Sequence, residues 1–171
     1  EACVAATKRV LEIAKKYNNR LHLFHISTVA EANLFENQLP INEKRITAEA
    51  CVHHLWFTDA DYETKGSLIK WNPAVKTAAD REGIWKAVLD NRIDVIATDH
   101  APHTLEEKAH SYMSAPSGGP LVQHALIAMF EKIQERMSDK NIKLSMIGRI
   151  SMDLMIIDIT KIKNKIKIGD Y

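Results

Sequence analysis

The chain has 171 residues, 46% of them hydrophobic, and its 23 basic and 22 acidic side chains leave a net charge of +1. This size predicts one domain with a substantial core, and the balanced charge argues against nucleic acid or a membrane surface as a partner. No apolar stretch approaches the roughly 20 residues that cross a bilayer, and no signal peptide opens the sequence. Two cysteines, Cys3 and Cys51, do not make a disulfide framework, so a soluble protein of the reducing cytoplasm is expected.

A helix and then a strand are predicted first. Apolar side chains recur at helical spacing near the start of the chain: Cys3, Ala6, Val10, Ile13, Ala14 and Tyr17. An extended run over residues 21–26 follows, and alternation along it puts Leu21, Leu23 and His25 on one face.

The middle of the chain continues this alternation of helix and strand. Thr28, with Glu31 three residues later, predicts a capped helix that runs to about Glu36. Residues 46–51 form the next predicted strand. Thr77 is placed to cap a further helix, whose inner face would carry Ile84, Trp85, Val88 and Leu89.

A third strand, predicted over residues 93–98, leads into the segment 99–103 (DHAPH). Its apolar run predicts a buried strand, on which Val95, Ala97 and Asp99 would share a face. A long loop follows, and then an amphipathic helix built on Val122, Leu126, Met129, Phe130, Ile133 and Met137. Beyond that helix there are only short β-like runs, over 154–159 and 162–168.

The order of these elements predicts an α/β fold with parallel strands and crossover helices. A doubly wound sheet and part of a (β/α)8 barrel both fit. Three strands are too few for a whole barrel, which typically needs about 250 residues. In either architecture, ligands bind at the C-terminal ends of the strands.

The strongest candidates for chemistry are Asp99, His100 and His103. A carboxylate at the end of a buried strand needs a cation, a metal or several hydrogen-bond donors to stay charged. The alternative is an aspartate that caps its loop beside two surface histidines. His25 becomes a second metal-ligand candidate if its strand and that of Asp99 are neighbours, since imidazole and carboxylate both bind Zn²⁺; otherwise it is a hydrogen-bonded structural residue.

Weaker candidates lie in three other places. Glu49, Cys51, His53 and His54 could bind metal by spacing, but no recognised metal motif supports this, and packing is the favoured interpretation for the histidine pair. Asn72 before Pro73 can simply shape a turn. The run 117–119 (SGG) offers backbone donors, as any flexible loop would.

The segment 96–108 (IATDHAPHTLEEK) closely resembles the signature of dihydroorotases in the amidohydrolase superfamily. The DHAPH part is specific, because hydantoinases and allantoinases usually differ there. Supporting matches keep their order and spacing over roughly residues 1–137: His25-Ile26-Ser27-Thr28, Glu49 through His53-His54-Leu55, Asn72-Pro73 leading to Asp80-Arg81-Glu82, and Ala115-Pro116-Ser117-Gly118.

This resemblance implies a partial (β/α)8 TIM-type barrel, about its last three β/α units, over residues 1–137. Residues 138–171 would be remnants of a small β domain. The complete enzyme would hold zinc, usually as a binuclear site, at the C-terminal lip of the barrel. It would interconvert N-carbamoyl-L-aspartate and L-dihydroorotate in pyrimidine biosynthesis, and a homodimer is expected.

The resemblance also implies roles for individual residues. His25 matches a metal-ligand histidine, and Asp99 matches a metal ligand that also acts as the catalytic acid/base. The residues that match substrate-binding positions are Asn72, His103, Ser117 and Gly118. Glu49 matches a glutamate that some relatives use near an additional metal.

The chain departs from the family pattern in two respects. The family's first-strand His-x-His pair, its bridging lysine or aspartate and its fifth-strand histidine match no position here, and Cys51-Val52 stands where Thr-Pro is usual. The missing ligands predict a C-terminal half that is inactive alone. Two alternatives stay open: a catalytically dead dihydroorotase-like subunit that serves as a structural partner, and another cyclic amidohydrolase of the hydantoinase or allantoinase type.

Overall fold

The structure is a computed structural model that describes residues 2–137 and the short segments 145–146 and 157–158. Its strands are β1 (Leu21–Leu23), β2 (Ile46–Cys51), β3 (Val95–Ala97), β4 (Ser145–Met146) and β5 (Ile157–Asp158). Its α-helices are α1 (Ala2–Lys16), α2 (Val29–Ala32), α3 (Val52–Trp56), α4 (Tyr62–Lys65), α5 (Ala78–Leu89), α6 (Leu105–Lys108) and α7 (Val122–Met137). Two 3₁₀ turns, Asp59–Asp61 and Gly66–Ile69, flank α4. None of the described helices has the length and apolarity needed to cross a membrane.

The first three strands form one parallel sheet in the order β1-β2-β3. Leu21 pairs with Ile46 across β1 and β2, and Glu49 pairs with Val95 across β2 and β3. Each crossover carries helical segments, as parallel pairing requires. The predicted parallel α/β order is therefore confirmed, and all three C-terminal strand ends lie at one edge of the sheet.

One face of the sheet packs against the helices and forms the core. Ala48 and Ala50 of β2 are fully buried there. The remaining buried members of this cluster come mainly from the helices and loops: Leu11, Ile26, Ala32, Phe35, Val52, Leu55, Ile84, Trp85, Ala87, Ile93 and Met129. The predicted inner face of α5 is confirmed at Ile84 and Trp85, which are buried. The predicted inner face of α7 is confirmed only at Met129, which is buried, and Ile133, which packs against the core. Val122 is instead 37% exposed.

Local capping holds the helices next to the strand ends. Thr28 accepts a hydrogen bond from the Glu31 backbone N–H, as predicted, and Thr77 accepts one from Asp80. The buried Glu31 carboxylate also accepts hydrogen bonds from Thr7 on α1 (3.1 Å) and from Ser27 (3.4 Å). The turn that follows His25 is therefore tied to α1.

Two predicted strands are shorter than expected, and one is not buried. β1 ends at Leu23, and β3 spans only Val95–Ala97, because His25 and Asp99 adopt positive φ angles that end the strand alternation. The shared face predicted for Asp99 with Val95 and Ala97 therefore does not continue beyond β3. Val95 is 40% exposed, since among the described residues β3 pairs only with β2.

Other predicted boundaries also differ. The helix after Thr28 ends at Ala32 rather than near Glu36. The loop after the DHAPH segment contains the short helix α6, which the Thr104–Glu107 capping box starts. In the C-terminal segment, β4 and β5 pair antiparallel, and β5 lies inside the predicted run 154–159. The run 162–168 lies outside the described residues, and the division at 137/138 stays a prediction.

Candidate functional site

The ends of β1 and β3 carry two residues with unusual backbone conformations. His25 has φ +40° and Asp99 has φ +47°. Residues other than glycine adopt such angles at a cost of about 1–3 kcal/mol, and such residues cluster at active sites and ligand clamps. Asn18 and Asn91 also have positive φ, but they lie in turns. Neither the His25 ring nor the Asp99 carboxylate has a hydrogen-bond partner among the described residues, so both are available to an external ligand.

His25 follows β1 and Asp99 follows β3, so β2 lies between them. The sequence analysis had made neighbouring strands the condition for a shared metal site, and this condition is not met. The end of β2 connects them. Glu49 accepts hydrogen bonds from the His25 backbone N–H (3.3 Å) and from His22 Nε2 (3.0 Å). Cys51 Sγ lies 4.0 Å from Glu49 Oε1.

The Cys51 thiol is buried near two carboxylates, those of Glu49 and Asp99. Burial raises the pKa of its thiol, and the negative charges of Glu49 and Asp99 raise this pKa further. The thiol is therefore protonated near neutral pH in the absence of a cation.

His53 and His54 lie in α3, immediately after β2, and both are buried. The His53 ring stacks on Trp71 with centroids 4.4 Å apart, and neither of its ring nitrogens has a hydrogen-bond partner. His54 Nε2 donates to the Pro73 carbonyl at 3.0 Å, while its Nδ1 has no partner. A buried polar atom without a partner costs about 1–3 kcal/mol, so these unpaired ring nitrogens destabilise the fold unless a ligand satisfies them.

Both imidazoles are neutral at physiological pH. Burial lowers the pKa of His53 to about 2, and the neighbouring His54 and His25 lower it as well. Burial likewise lowers the pKa of His54 to about 4, against the opposing effect of its hydrogen bond to Pro73.

The predicted substrate-binding residues of the long loop are brought together. His103 Nε2 donates to the Ser117 carbonyl at 3.0 Å. Gly118 has φ +122°, and a Cβ there would lie 2.6 Å from the Ala101 carbonyl oxygen, so only glycine fits. The Gly118 N–H donates to the Lys70 carbonyl at 2.9 Å.

Asn72 lies two residues beyond Lys70, on the same extended segment. It is exposed and precedes the cis bond to Pro73. Its side chain makes no hydrogen bond within the described part of the chain. The structure therefore ties the segment before Asn72 to Gly118, but it shows no direct contact between Asn72 and His103.

Lys108 is a residue that the sequence analysis did not single out. It is 4% exposed, and its ammonium donates to the carbonyls of Lys70 (3.1 Å), Pro116 (3.0 Å) and Gly118 (2.9 Å). Burial lowers its pKa, and the positive charge of Lys70 adds to this. The Thr104–Glu107 capping box, which places Lys108 at the end of a short helix, was the available sequence signal.

Replacing Lys108 with methionine is expected to loosen the loop around Gly118. Hydrogen bonds from a charged donor contribute roughly 1.5–3 kcal/mol, so amide hydrogen exchange at Gly118 should become at least about tenfold faster. Lys65→Met, on the exposed face of α4, is the matched control and should leave this exchange unchanged. Equal exchange rates in the two variants would show that Lys108 does not hold the loop.

Comparisons with known proteins place this chain in a family. No family model matches the chain. It is 36% identical over 140 residues to dihydroorotase from Deinococcus radiodurans, covering 80% of this chain and 32% of the relative. It is 39% identical over 114 residues to dihydroorotase from Latilactobacillus sakei, covering 67% of this chain and 26% of the relative. The chain is a dihydroorotase-like member of the amidohydrolase superfamily.

Solved structures agree with this relationship. L-hydantoinase from Arthrobacter aurescens matches the dihydroorotase-like chain with a TM-score of 0.66 and 25% identity, over 74% of this chain and 28% of its own. The fold of Saccharomyces cerevisiae dihydroorotase in complex with 5-fluoroorotic acid matches with a TM-score of 0.70 and 19% identity, over 80% of this chain and 39% of its own. These neighbours are TIM-barrel amidohydrolases, so β1, β2 and β3 form part of such a barrel. The chain spans about a third or less of the curated relatives named above.

Proposed function

We propose that this chain supplies one half of the active site of a dihydroorotase, an enzyme of pyrimidine biosynthesis. The reaction is the reversible cyclisation of N-carbamoyl-L-aspartate to L-dihydroorotate and water. The observation that supports it is the pair formed by His25 and Asp99. Both follow strands of one parallel sheet and have positive φ, and neither side chain has a hydrogen-bond partner within the described residues. The relatives of the chain are dihydroorotases.

The donor set suits a zinc site. A neutral imidazole and a carboxylate are typical zinc ligands, and His25 and Asp99 offer one of each without internal competition. Bound zinc would lower the pKa of water to about 7 and polarise the amide carbonyl. Two ligands do not complete such a site, so we propose that the others come from a part of the enzyme that this chain does not match.

Asp99 is the proposed acid/base. In ring opening, its carboxylate accepts a proton from the attacking water and delivers that proton to the ring nitrogen as the carbon–nitrogen bond breaks. In ring closure, the same carboxylate takes the proton from the attacking amide nitrogen and returns it to the departing hydroxide as water. Because no described residue hydrogen-bonds to the Asp99 carboxylate, one of its oxygens can bind the metal while the other transfers the proton.

The loop residues would orient the substrate. His103 and Asn72 would hold the substrate carboxylate and ring amide, and the backbone around Ser117 and Gly118 would line the same place. Since His103 Nε2 already donates to Ser117, the imidazole binds a carboxylate through Nδ1 only when it is protonated. Lys108 holds this loop in position through three carbonyls.

A related cyclic amidohydrolase activity is the second candidate, because hydantoinases share this fold. The two candidates differ in substrate: dihydroorotate carries a carboxylate that hydantoin lacks. A site that is built to bind a polar group usually discriminates strongly against a substrate without it. Turnover of dihydroorotate, hydantoin and allantoin by one preparation therefore separates them.

The test uses the 171-residue chain and a chimera. In the chimera, residues 2–137 replace the matching segment of the Deinococcus radiodurans dihydroorotase. We expect no dihydroorotate turnover from the chain alone. The chimera should convert dihydroorotate, and it should prefer it to hydantoin by at least about 10²-fold.

Two outcomes would contradict this function. Turnover by the chain alone would show that no further ligands are needed. A chimera that folds, binds zinc and has no activity would support the alternative of a structural dihydroorotase-like partner. A homodimer and a cytoplasmic location stay predictions from the resemblance.

A further inference from the structure

A second group of possible metal ligands lies deeper than His25 and Asp99. Cys51, His53 and His54 are all buried, and one ligand atom from each lies within 4.8 Å of the others. Cys51 ends β2, and the two histidines lie in the first turn of α3. The junction of a strand and a helix therefore brings one sulfur and two imidazole donors, from three residues within a stretch of four, into one place.

One hydrogen bond of His54 orients its ring and leaves the other ring nitrogen free to bind a metal. Its Nε2 donates to the Pro73 carbonyl, which fixes the tautomer in which Nδ1 carries a lone pair. That Nδ1 is buried and has no partner. Histidines that ligate metals almost always donate their other ring N–H to a carbonyl or carboxylate in this way.

His53 supplies the second nitrogen. It is fully buried, and both of its ring nitrogens lack partners. Its face is covered by Trp71, but a metal binds in the plane of the ring, which the stacking leaves accessible. Binding a cation would satisfy one of the buried nitrogens that protein contacts leave unpaired.

We propose that Cys51, His53 and His54 bind a divalent cation of the zinc type, at a site separate from the pair that the proposed function uses. One sulfur and two imidazole donors select zinc or cobalt over magnesium and calcium. The Cys51 thiol releases its proton when the cation binds. Metal–ligand distances of 2.0–2.3 Å would draw the three donors together from their present separations within 4.8 Å.

Cobalt(II) tests this site, because thiolate ligation gives a charge-transfer absorption that nitrogen and oxygen ligands do not give. The 171-residue chain is titrated with Co²⁺ under reducing, anaerobic conditions. We expect one equivalent to produce the thiolate-to-cobalt band and Zn²⁺ to remove it. The band should persist in Cys3→Ser, in which Cys51 is the only cysteine. This variant therefore assigns the band to Cys51 while the proposed site stays unchanged.

Variants at the site complete the experiment. Cys51→Ser should abolish the band, and His54→Ala should weaken Co²⁺ binding at least about tenfold, with far-ultraviolet circular dichroism as the check on folding. His25→Ala and Asp99→Asn should leave the band intact, which separates this site from the one used in the proposed function. Absence of the band in Cys3→Ser at saturating Co²⁺, or its survival in Cys51→Ser, would overturn the proposal whatever the activity of the chimera.

Discussion

Asp99→Asn is expected to lower dihydroorotate turnover by the chimera about 10²–10⁴-fold, the usual contribution of a positioned acid/base. The asparagine amide has nearly the same shape but does not accept and release a proton. Because no described residue hydrogen-bonds to the Asp99 carboxylate, the substitution breaks no protein contact. The loss should therefore appear in kcat, measured in both the ring-opening and the ring-closing direction.

Asp59→Asn is the matched control for this substitution. Asp59 is exposed, and its carboxylate contacts only the neighbouring Ala60 N–H. The same change of charge there should leave kcat within about twofold. If Asp99→Asn also retained full activity in a folded, zinc-loaded chimera, Asp99 would not be the acid/base.

The order of elements and the common edge of the strand ends could be predicted from the sequence because they depend on local patterns. The strand predicted over residues 46–51 has the bounds of β2, and the side chains of Thr28 and Thr77 marked two helix starts. Parallel pairing then followed from the helices between strands, and it put His25 and Asp99 at one edge of the sheet. None of these features depends on contacts between segments that are far apart in the sequence.

The errors concern features that depend on distant contacts. The ends of β1 and β3 are set by positive φ at His25 and Asp99, which periodicity does not show. The burial of His53 depends on stacking against Trp71, which belongs to another segment. Lysine is usually exposed, and the burial of Lys108 depends on hydrogen bonds to backbone carbonyls of two other segments.

Lys44→Met is expected to lower the free energy of unfolding by about 3–5 kcal/mol, as removal of one partner from a buried ion pair usually does. Lys44 Nζ lies 2.7 Å from Asp94 Oδ1, with side chains only 2% and 4% exposed. Asp94 Oδ2 also accepts a hydrogen bond from the Ala48 N–H (3.0 Å), so the pair ties β2 to the residue that precedes β3. Without the lysine, the carboxylate is buried without a counter-charge beside the strand that leads to Asp99.

Urea unfolding of the 171-residue chain measures this effect. The control is Lys15→Met on the exposed side of α1, which should change stability by less than about 0.5 kcal/mol. The double variant Lys44→Met with Asp94→Asn should recover part of the loss, because the unpaired charge is then gone while an oxygen remains for Ala48. If the double variant were destabilised by the full sum of the two single effects, the pair would not be coupled, and the position of β3 would depend on backbone pairing with β2 instead.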